Sequence, residues 1–315
     1  MLFYPQNIKI DYEKELNSEQ LKVVREANGA ALVLAGAGSG KTRTLIYRLA
    51  YLLEQGIEPK RILLMTFTNK AAKEMMSRVE KILGIYPTDL WGGTFHHIGN
   101  KVLRLFGEKI GLPPNFNILD SEDSKELVKA CYRELELPDD KKFPKPEVMH
   151  KMISLSANLN ESLEKAMRQR FAHLPKSYLP YLMTINDLYR QKKETGRALD
   201  FDDLLAYWLR LMMIDEGVKN KLASQFQYIL VDEFQDTNRL QGEIIKLLAE
   251  QSKNLLVVGD DAQSIYSFRG ADVNNILQFP KNFPACQIFK LETNYRSAPE
   301  ILTLANQSIA KNYSQ

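Results

Sequence analysis

The chain has 315 residues, 44% hydrophobic and 26% charged, with 16 glycines and 13 prolines, an ordinary globular composition that excludes collagen-like, fibrous and disordered chains. Its 42 basic and 39 acidic residues leave a net charge of +3, so any nucleic-acid surface has to come from local arrangement and not from a global basic field. At roughly 100 to 200 residues per domain, the length suggests two domains with cores of their own.

The N-terminus MLFYPQNIKIDYEK has neither the basic start and apolar run of a signal peptide nor a small-residue cleavage site. No stretch approaches the roughly 18 consecutive apolar residues of a membrane span, so neither secretion nor a membrane partner is expected. Cys131 and Cys286 stand far apart in apolar stretches, as buried thiols of a reducing, cytoplasmic compartment would.

Short apolar runs at Ala30 to Ala35, Arg61 to Thr66, Tyr228 to Val231, Leu255 to Val258 and Gln287 to Leu291 read as buried parallel strands. Each leads through a polar or glycine-rich turn into a helical pattern, such as Asn69 to Leu83 with Thr68 as its N-cap. This βαβ series predicts an α/β fold with a parallel sheet. Between Gly107 and Arg197 the strand-like runs vanish. Charged helical stretches such as Ser124 to Leu135 and Leu179 to Glu194 take over, broken by Pro113, Pro114, Pro138, Pro144 and Pro146. The expected organisation is a discontinuous α/β domain, 1–106 and 198–315, with an inserted all-α subdomain at 107–197. Asp202 and Asp203 of DFDDLL read as helix-start capping groups, not metal ligands. The last helix is expected to open on a capping box, Ser297, Ala298, Pro299, Glu300.

Residues Ala35 to Thr42 spell AGAGSGKT between an apolar strand and a helix beginning near Lys41, the required context of a P-loop. Backbone N–H groups across Ala37, Gly38, Ser39 and Gly40, with the helix N-terminus behind them, suit a phosphate. Lys41 adds a point charge and the Thr42 hydroxyl can hold Mg²⁺. A nucleoside triphosphate is the natural ligand. The strict pattern opens on glycine where this chain has Ala35. The run Tyr228 to Val231 leads directly into Asp232, Glu233, Phe234, Gln235, Asp236, a Walker B pattern in which Asp232 serves Mg²⁺ and Glu233 takes a proton from the attacking water. The alternative is a solvated turn capping the next helix, a role open to Asp236 or Thr237 in either case.

These segments do not stand alone. LNSEQ (Leu16 to Gln20), AGAGSGKT, TFTNKAAKEM (Thr66 to Met75), GTFHH (Gly93 to His97), DFDDLL (Asp200 to Leu205), DEFQD, VGDDAQSIYSFRGA (Val258 to Ala271) and LETNYRS (Leu291 to Ser297) follow one another in the chain. In that order, from about Leu16 to Ala305, they resemble the UvrD/Rep/PcrA superfamily-one DNA helicases. The resemblance implies a RecA-like motor domain using ATP and Mg²⁺, with Lys41, Glu233, Gln263 and Arg296 as catalytic groups. Gln20 would read the adenine edge and Tyr295 would stack on the base. Arg296 would reach the γ-phosphate as an arginine supplied in cis, Arg43 would line the same region, and Gln263 would couple the γ-phosphate to the nucleic acid.

For single-stranded DNA the same resemblance points to Phe67, Thr94, His96, Tyr266 and Phe268, at or just beyond strand ends, as stacking and polar contacts. Core packing is the alternative for Phe67. Phe268 stands where this family usually has Trp, and His97 where a small polar residue is more usual. The family carries a second motor domain beyond NYRS, which this sequence does not reach. The expectation is therefore the ATP- and DNA-binding first part of a 3′ to 5′ helicase. It would be monomeric, directed to single strands and single–double strand junctions, and lacking full helicase activity by itself. The competing readings are a nucleic-acid-binding or interaction module with a vestigial P-loop, and the N-terminal part of a RecB/AddA-type helicase-nuclease.

Overall fold

The structure, a computed structural model, describes residues 10–266 and 270–311. The chain divides into two compact units, one of Met1–Ile98, Asn220–Thr237 and Ile245–Gln315 and one of Gly99–Lys219 with Asn238–Ile244. Among the described residues no helix is long and apolar enough to cross a membrane.

The first unit is built on a parallel sheet of six strands, β1 (Ala30–Ala35), β2 (Ile62–Thr66), β3 (Trp91–Thr94), β6 (Tyr228–Val231), β7 (Leu255–Gly259) and β8 (Gln287–Leu291). The omitted numbers, β4 (Asn117–Ile118) and β5 (Ala198–Leu199), are a short parallel pair in the second unit. The spatial order is β3-β2-β6-β7-β1-β8. The four central strands read ILLMT, YILV, LLVVG and AALVLA because helices cover both faces, which leaves no solvent side for polar residues. At the edge, β8 alternates instead, with Phe289 and Leu291 buried and Ile288 exposed. Val33, Leu45, Leu49, Met75, Leu230 and Leu256 belong to one buried cluster. Each such side chain contributes about 1.5–3 kcal/mol by leaving water.

Strand β3 has no sequence signal, since two of the four residues in WGGT are glycines and glycine weakens a strand. The reason lies in packing. A Cβ at Gly92 would stand 3.1 Å from Met76 Sδ, and one at Gly93 would stand 2.7 Å from the His97 ring. The register pairs Val33 with Val258, Met65 with Val231, Thr66 with Thr94 and Ala35 with Leu291. All the carboxyl ends therefore open on one edge of the sheet, where ligands of open α/β sheets bind.

Helix Asn69–Leu83 forms as expected, with Thr68 Oγ1 accepting Ala71 N–H at 3.1 Å and Gly84 ending it at φ 69°. Two expected caps are corrected. The last helix, Pro299–Ile309, has Ala298 as its N-cap with no side-chain cap bond. Ser297 donates its own N–H to Asn294 Oδ1 at 2.8 Å, so it is held in the preceding loop. Before helix Arg239–Leu248, neither Asp236 nor Thr237 caps. Asn238 and Gln241 do so reciprocally, each side chain accepting the other's backbone N–H at 2.9 Å.

The second unit packs helices Ser121–Glu134, Pro146–Leu159 and Leu179–Thr195 around Val128, Cys131, Met149, Met152, Ile185 and Tyr189. It is wider than the 107–197 segment expected from composition. Helix Phe201–Ile214 lies against Gly99, where an added Cβ would meet Trp208 at 3.2 Å and the Leu204 carbonyl at 3.4 Å. Composition cannot show this, because an apolar helix next to a strand reads the same in either unit. Asp200 caps that helix, accepting Asp203 N–H at 2.8 Å, while Asp203 accepts Asp200 N–H at 3.0 Å.

Both carboxylates also hold the buried Lys193 ammonium, at 2.6 Å for Asp200. Burial, reinforced by the Asp200 charge, pushes Asp203 up to about 6. Replacing Lys193 by Met is expected to cost about 3–5 kcal/mol of stability, the usual penalty for leaving a buried charge without its partner. The loss should be larger at pH 8 than at pH 5, because protonation relieves the stranded carboxylates. Denaturant unfolding at both pH values measures it, and an unchanged midpoint at pH 8 would remove Lys193 from this role.

Candidate active site

Every described residue expected at the site lies in the first unit. Between β1 and helix Lys41–Glu54 the loop turns through left-handed glycines, Gly38 at φ 78° and Gly40 at φ 87°. Sterics add a second reason for glycine at both. A Cβ at Gly40 would stand 2.5 Å from Gln20 Nε2, and one at Gly38 would stand 2.6 Å from Arg296 Cβ. Ser39 Oγ donates to the Gly36 carbonyl at 2.7 Å and tightens the turn. Ala35 is the last residue of β1, paired with Leu291, so this position asks for strand geometry that alanine adopts freely. Lys41 is only 8% exposed and donates from Nζ to the Ala35 carbonyl at 3.2 Å. The same ammonium lies 3.8 Å from Glu233 Oε2.

From β6 the chain enters the site at Asp232, 4% exposed, whose N–H donates to the Met65 carbonyl at 3.0 Å. Its Oδ2 accepts Thr42 Oγ1 at 3.3 Å and its Oδ1 accepts Glu233 N–H at 3.1 Å. Burial first, and the Glu233 charge second, push the Asp232 carboxyl up to about 7. A buried carboxylate that resists ionisation, one hydroxyl away from a phosphate loop, is short of positive charge. Mg²⁺ fits that need, since it binds through one or two protein oxygens plus phosphates and waters. A Mg²⁺ ion held by Asp232 would have to displace its proton. Affinity for the metal–nucleotide complex should therefore rise with pH and level off above about pH 7, which a titration with a non-hydrolysable nucleotide will show. A flat profile would exclude Asp232 from the metal shell. Glu233 itself sits at φ 48°, a left-handed conformation uncommon for a non-glycine residue.

The ends of β7 and β8 complete the edge. After β7, Gln263 lies in the short turn Asp261–Gln263 and donates from Nε2 to Asp260 Oδ2. After β8, Asn294 Nδ2 donates to the Ala37 carbonyl, and Tyr295 N–H donates to the Gly38 carbonyl at 2.9 Å. Asn294 Oδ1 also accepts Arg296 N–H at 2.9 Å. The Tyr295 ring is 62% exposed and its hydroxyl accepts Asn17 Nδ2 at 2.8 Å. Gln20, buried, donates Nε2 to the Ser39 carbonyl at 3.1 Å. The buried Arg48 fixes the helix carrying Gln20, donating to the Val24 and Ala27 carbonyls at 2.6 Å each. Gln20, Lys41, Thr42, Asp232, Glu233, Tyr295 and Arg296 are thus assembled around one loop.

Arg43 pairs with Glu15. Its guanidinium bonds the Glu15 carbonyl at 2.7 Å and the Glu15 carboxylate at 2.6 Å, with the Tyr47 ring 4.9 Å away. Asn17, Gln235 and Asn294 also make contacts here, though no role was expected of them. The Asn17 spacing to Gln20 is a capping-box signal, whereas nothing in an isolated amide marks the other two.

The UvrD/REP helicase N-terminal domain model matches residues 16–284. The chain belongs to that family. It is 42% identical over 301 residues to the ATP-dependent DNA helicase PcrA of Bacillus subtilis, covering 94% of this chain and 40% of that protein. Against the proteins of the same name from Staphylococcus epidermidis and Staphylococcus aureus, identity is 41% over 300 residues and 42% over 299. The matched regions cover 95% and 94% of this chain, and 40% of each relative. The chain thus spans about two-fifths of the length of these curated relatives.

In this UvrD/REP-family chain the aromatic residues beyond β2 and β7 meet. The Phe67 and Tyr266 rings lie 5.2 Å apart at 35°. Thr94 Oγ1 is engaged as a cap, accepting His97 N–H at 3.2 Å. Half-buried His96, on the helix that follows β3, has its imidazole pushed toward the neutral form by burial. Phe268 lies outside the described residues.

Proposed function

We propose that this chain is the ATP- and DNA-binding first motor part of a 3′ to 5′ DNA helicase. The observation that carries the reading is the pairing of Thr42 with Asp232 at 3.3 Å and of Lys41 with Glu233 at 3.8 Å. Two motifs separated by almost 200 residues of sequence there form one charged site.

In this reading the loop N–H groups and Lys41 hold the ATP phosphates, with Thr42 and Asp232 as the Mg²⁺ ligands. Mg²⁺ held by these two residues would supply charge neutralisation at the phosphates. Glu233 takes the proton of a water whose oxygen bonds to the γ-phosphorus. The bond from that phosphorus to the bridging oxygen breaks, and its electron pair leaves with ADP. Gln263 lies beside the γ-phosphate, and Arg296 balances the charge that develops there. Tyr295 gives a face for the adenine and Gln20 an edge. Phe67 and Tyr266 offer stacking faces to single-stranded DNA, and Thr94, His96 and Phe268 are proposed as further contacts to the strand. Stacking of this kind tolerates any base, as translocation requires.

A second motor domain, of the kind the family carries, would close over the nucleotide and convert hydrolysis into movement. Alone, the chain is expected to bind ATP and Mg²⁺ but to turn over slowly and to unwind no duplex. Nucleotide affinity and ATPase rate, measured with and without single-stranded DNA, test the reading. DNA binding without any nucleotide binding would favour the non-motor module, and robust strand displacement by this chain alone would overturn the need for a second domain.

A further inference from the structure

We propose that Gln235 is a positioning residue that aims the Glu233 carboxylate and ties it to the loop carrying Gln263. The inference rests on the nucleotide-hydrolysis reading above and goes one step beyond it.

Gln235 is 2% exposed. A glutamine so deeply buried is costly unless both ends of its amide are bonded, and here both ends bond site residues. The Nε2 end donates to Glu233 Oε2 at 2.8 Å. The Oε1 end accepts Asp260 N–H at 3.0 Å. Asp260 in turn accepts Gln263 Nε2 through its side chain, and Ser264 Oγ donates to the Gln235 carbonyl at 3.3 Å. One amide therefore spans β6 and β7, joining the expected base on one side to the expected γ-phosphate contact on the other.

The fold makes room for this bridge. A Cβ at Gly259 would stand 2.7 Å from Gln235 Oε1 and 3.3 Å from its backbone nitrogen, so glycine at the end of β7 lets the amide reach Asp260.

The bridge acts on one oxygen of the Glu233 carboxylate. It occupies Oε2, the oxygen nearest Lys41, so Oε1 is the carboxylate oxygen offered to water. A shift of Asp260 relative to Gln263 would pull on the same amide and re-aim Glu233.

The test uses the full chain with Gln235→Met, which keeps length and volume but neither donates nor accepts. Gln235→Glu, which keeps the acceptor but replaces the donor with a second negative charge, is the companion. Under single-turnover conditions the hydrolysis rate should fall at least tenfold in both, with nucleotide affinity within twofold of the unsubstituted chain. A second readout needs no turnover. Adding Mg²⁺ and a non-hydrolysable nucleotide should change amide hydrogen exchange at Asp260 to Ser264 in the unsubstituted chain. In Gln235→Met that response should vanish while the response of Ala37 to Thr42 persists. Unaltered rates, or an Asp260 to Ser264 response that survives Gln235→Met, would overturn the proposal and leave the hydrolysis reading standing. Loss of Lys41-dependent nucleotide binding in the unsubstituted chain would instead overturn the hydrolysis reading itself.

Discussion

Lys41→Ala is expected to weaken ATP binding by about 100-fold, close to 2.7 kcal/mol, the scale of one charge-assisted hydrogen bond in a partly buried site. The geometry explains why no neighbour takes over. Lys41 is buried at the loop and held between the Ala35 carbonyl and Glu233, whereas Arg43, the adjacent cation, is committed to Glu15. Arginine is also a poor replacement, because its wide planar fork does not fit where a compact ammonium sits at 3.2 Å from a main-chain oxygen. Lys41→Arg should therefore bind little better than Lys41→Ala. Titration with a fluorescent ATP analogue measures both, and circular dichroism confirms that the fold survives. Affinity within threefold of the unsubstituted chain would mean that the loop backbone, not Lys41, provides the phosphate contact.

How far the site could be read from sequence depends on whether a residue's role is local. The turn through Gly38 and Gly40 into Lys41 and Thr42 was legible because it is one continuous segment between a strand and a helix. Asp232 and Glu233 were legible because a continuous apolar run ends on them. The central strands were legible for the same reason. Strand β3 was not, since its glycines serve the packing of Met76 and His97 and erase the pattern that marks a strand. The ion pair of Arg43 with Glu15 was not legible, because only the folded chain brings the two together. The Ser297 capping box failed through competition, Asn294 having captured the Ser297 N–H. The amide bridge of Gln235 joins β6 to β7, so it exists only once strand order is known.

The second large effect concerns Glu233→Gln, in which hydrolysis and binding should separate. Losing a general base costs about 100- to 10,000-fold in rate, so single-turnover hydrolysis with the chain in excess should become almost undetectable. Binding should persist, because Lys41, Thr42 and the loop are untouched. The variant also carries an electrostatic signature that a merely damaged fold would not. In the unsubstituted chain Asp232 is held at about 7, partly by the Glu233 charge beside it. Gln removes that repulsion while burial remains, so Asp232 ionises at lower pH. Mg²⁺ competes with a proton for Asp232, and affinity for the metal–nucleotide complex falls as pH drops through the Asp232 midpoint. The fall should therefore begin at lower pH in Glu233→Gln. At pH 6 the variant should bind the complex more tightly than the unsubstituted chain, and at pH 8.5, where Asp232 is ionised in both, the two should converge. Titration of the nucleotide itself is common to both proteins and cancels in the comparison. An identical pH profile would show that Asp232 does not feel Glu233 in the bound state, and retained hydrolysis would show that another group accepts the proton.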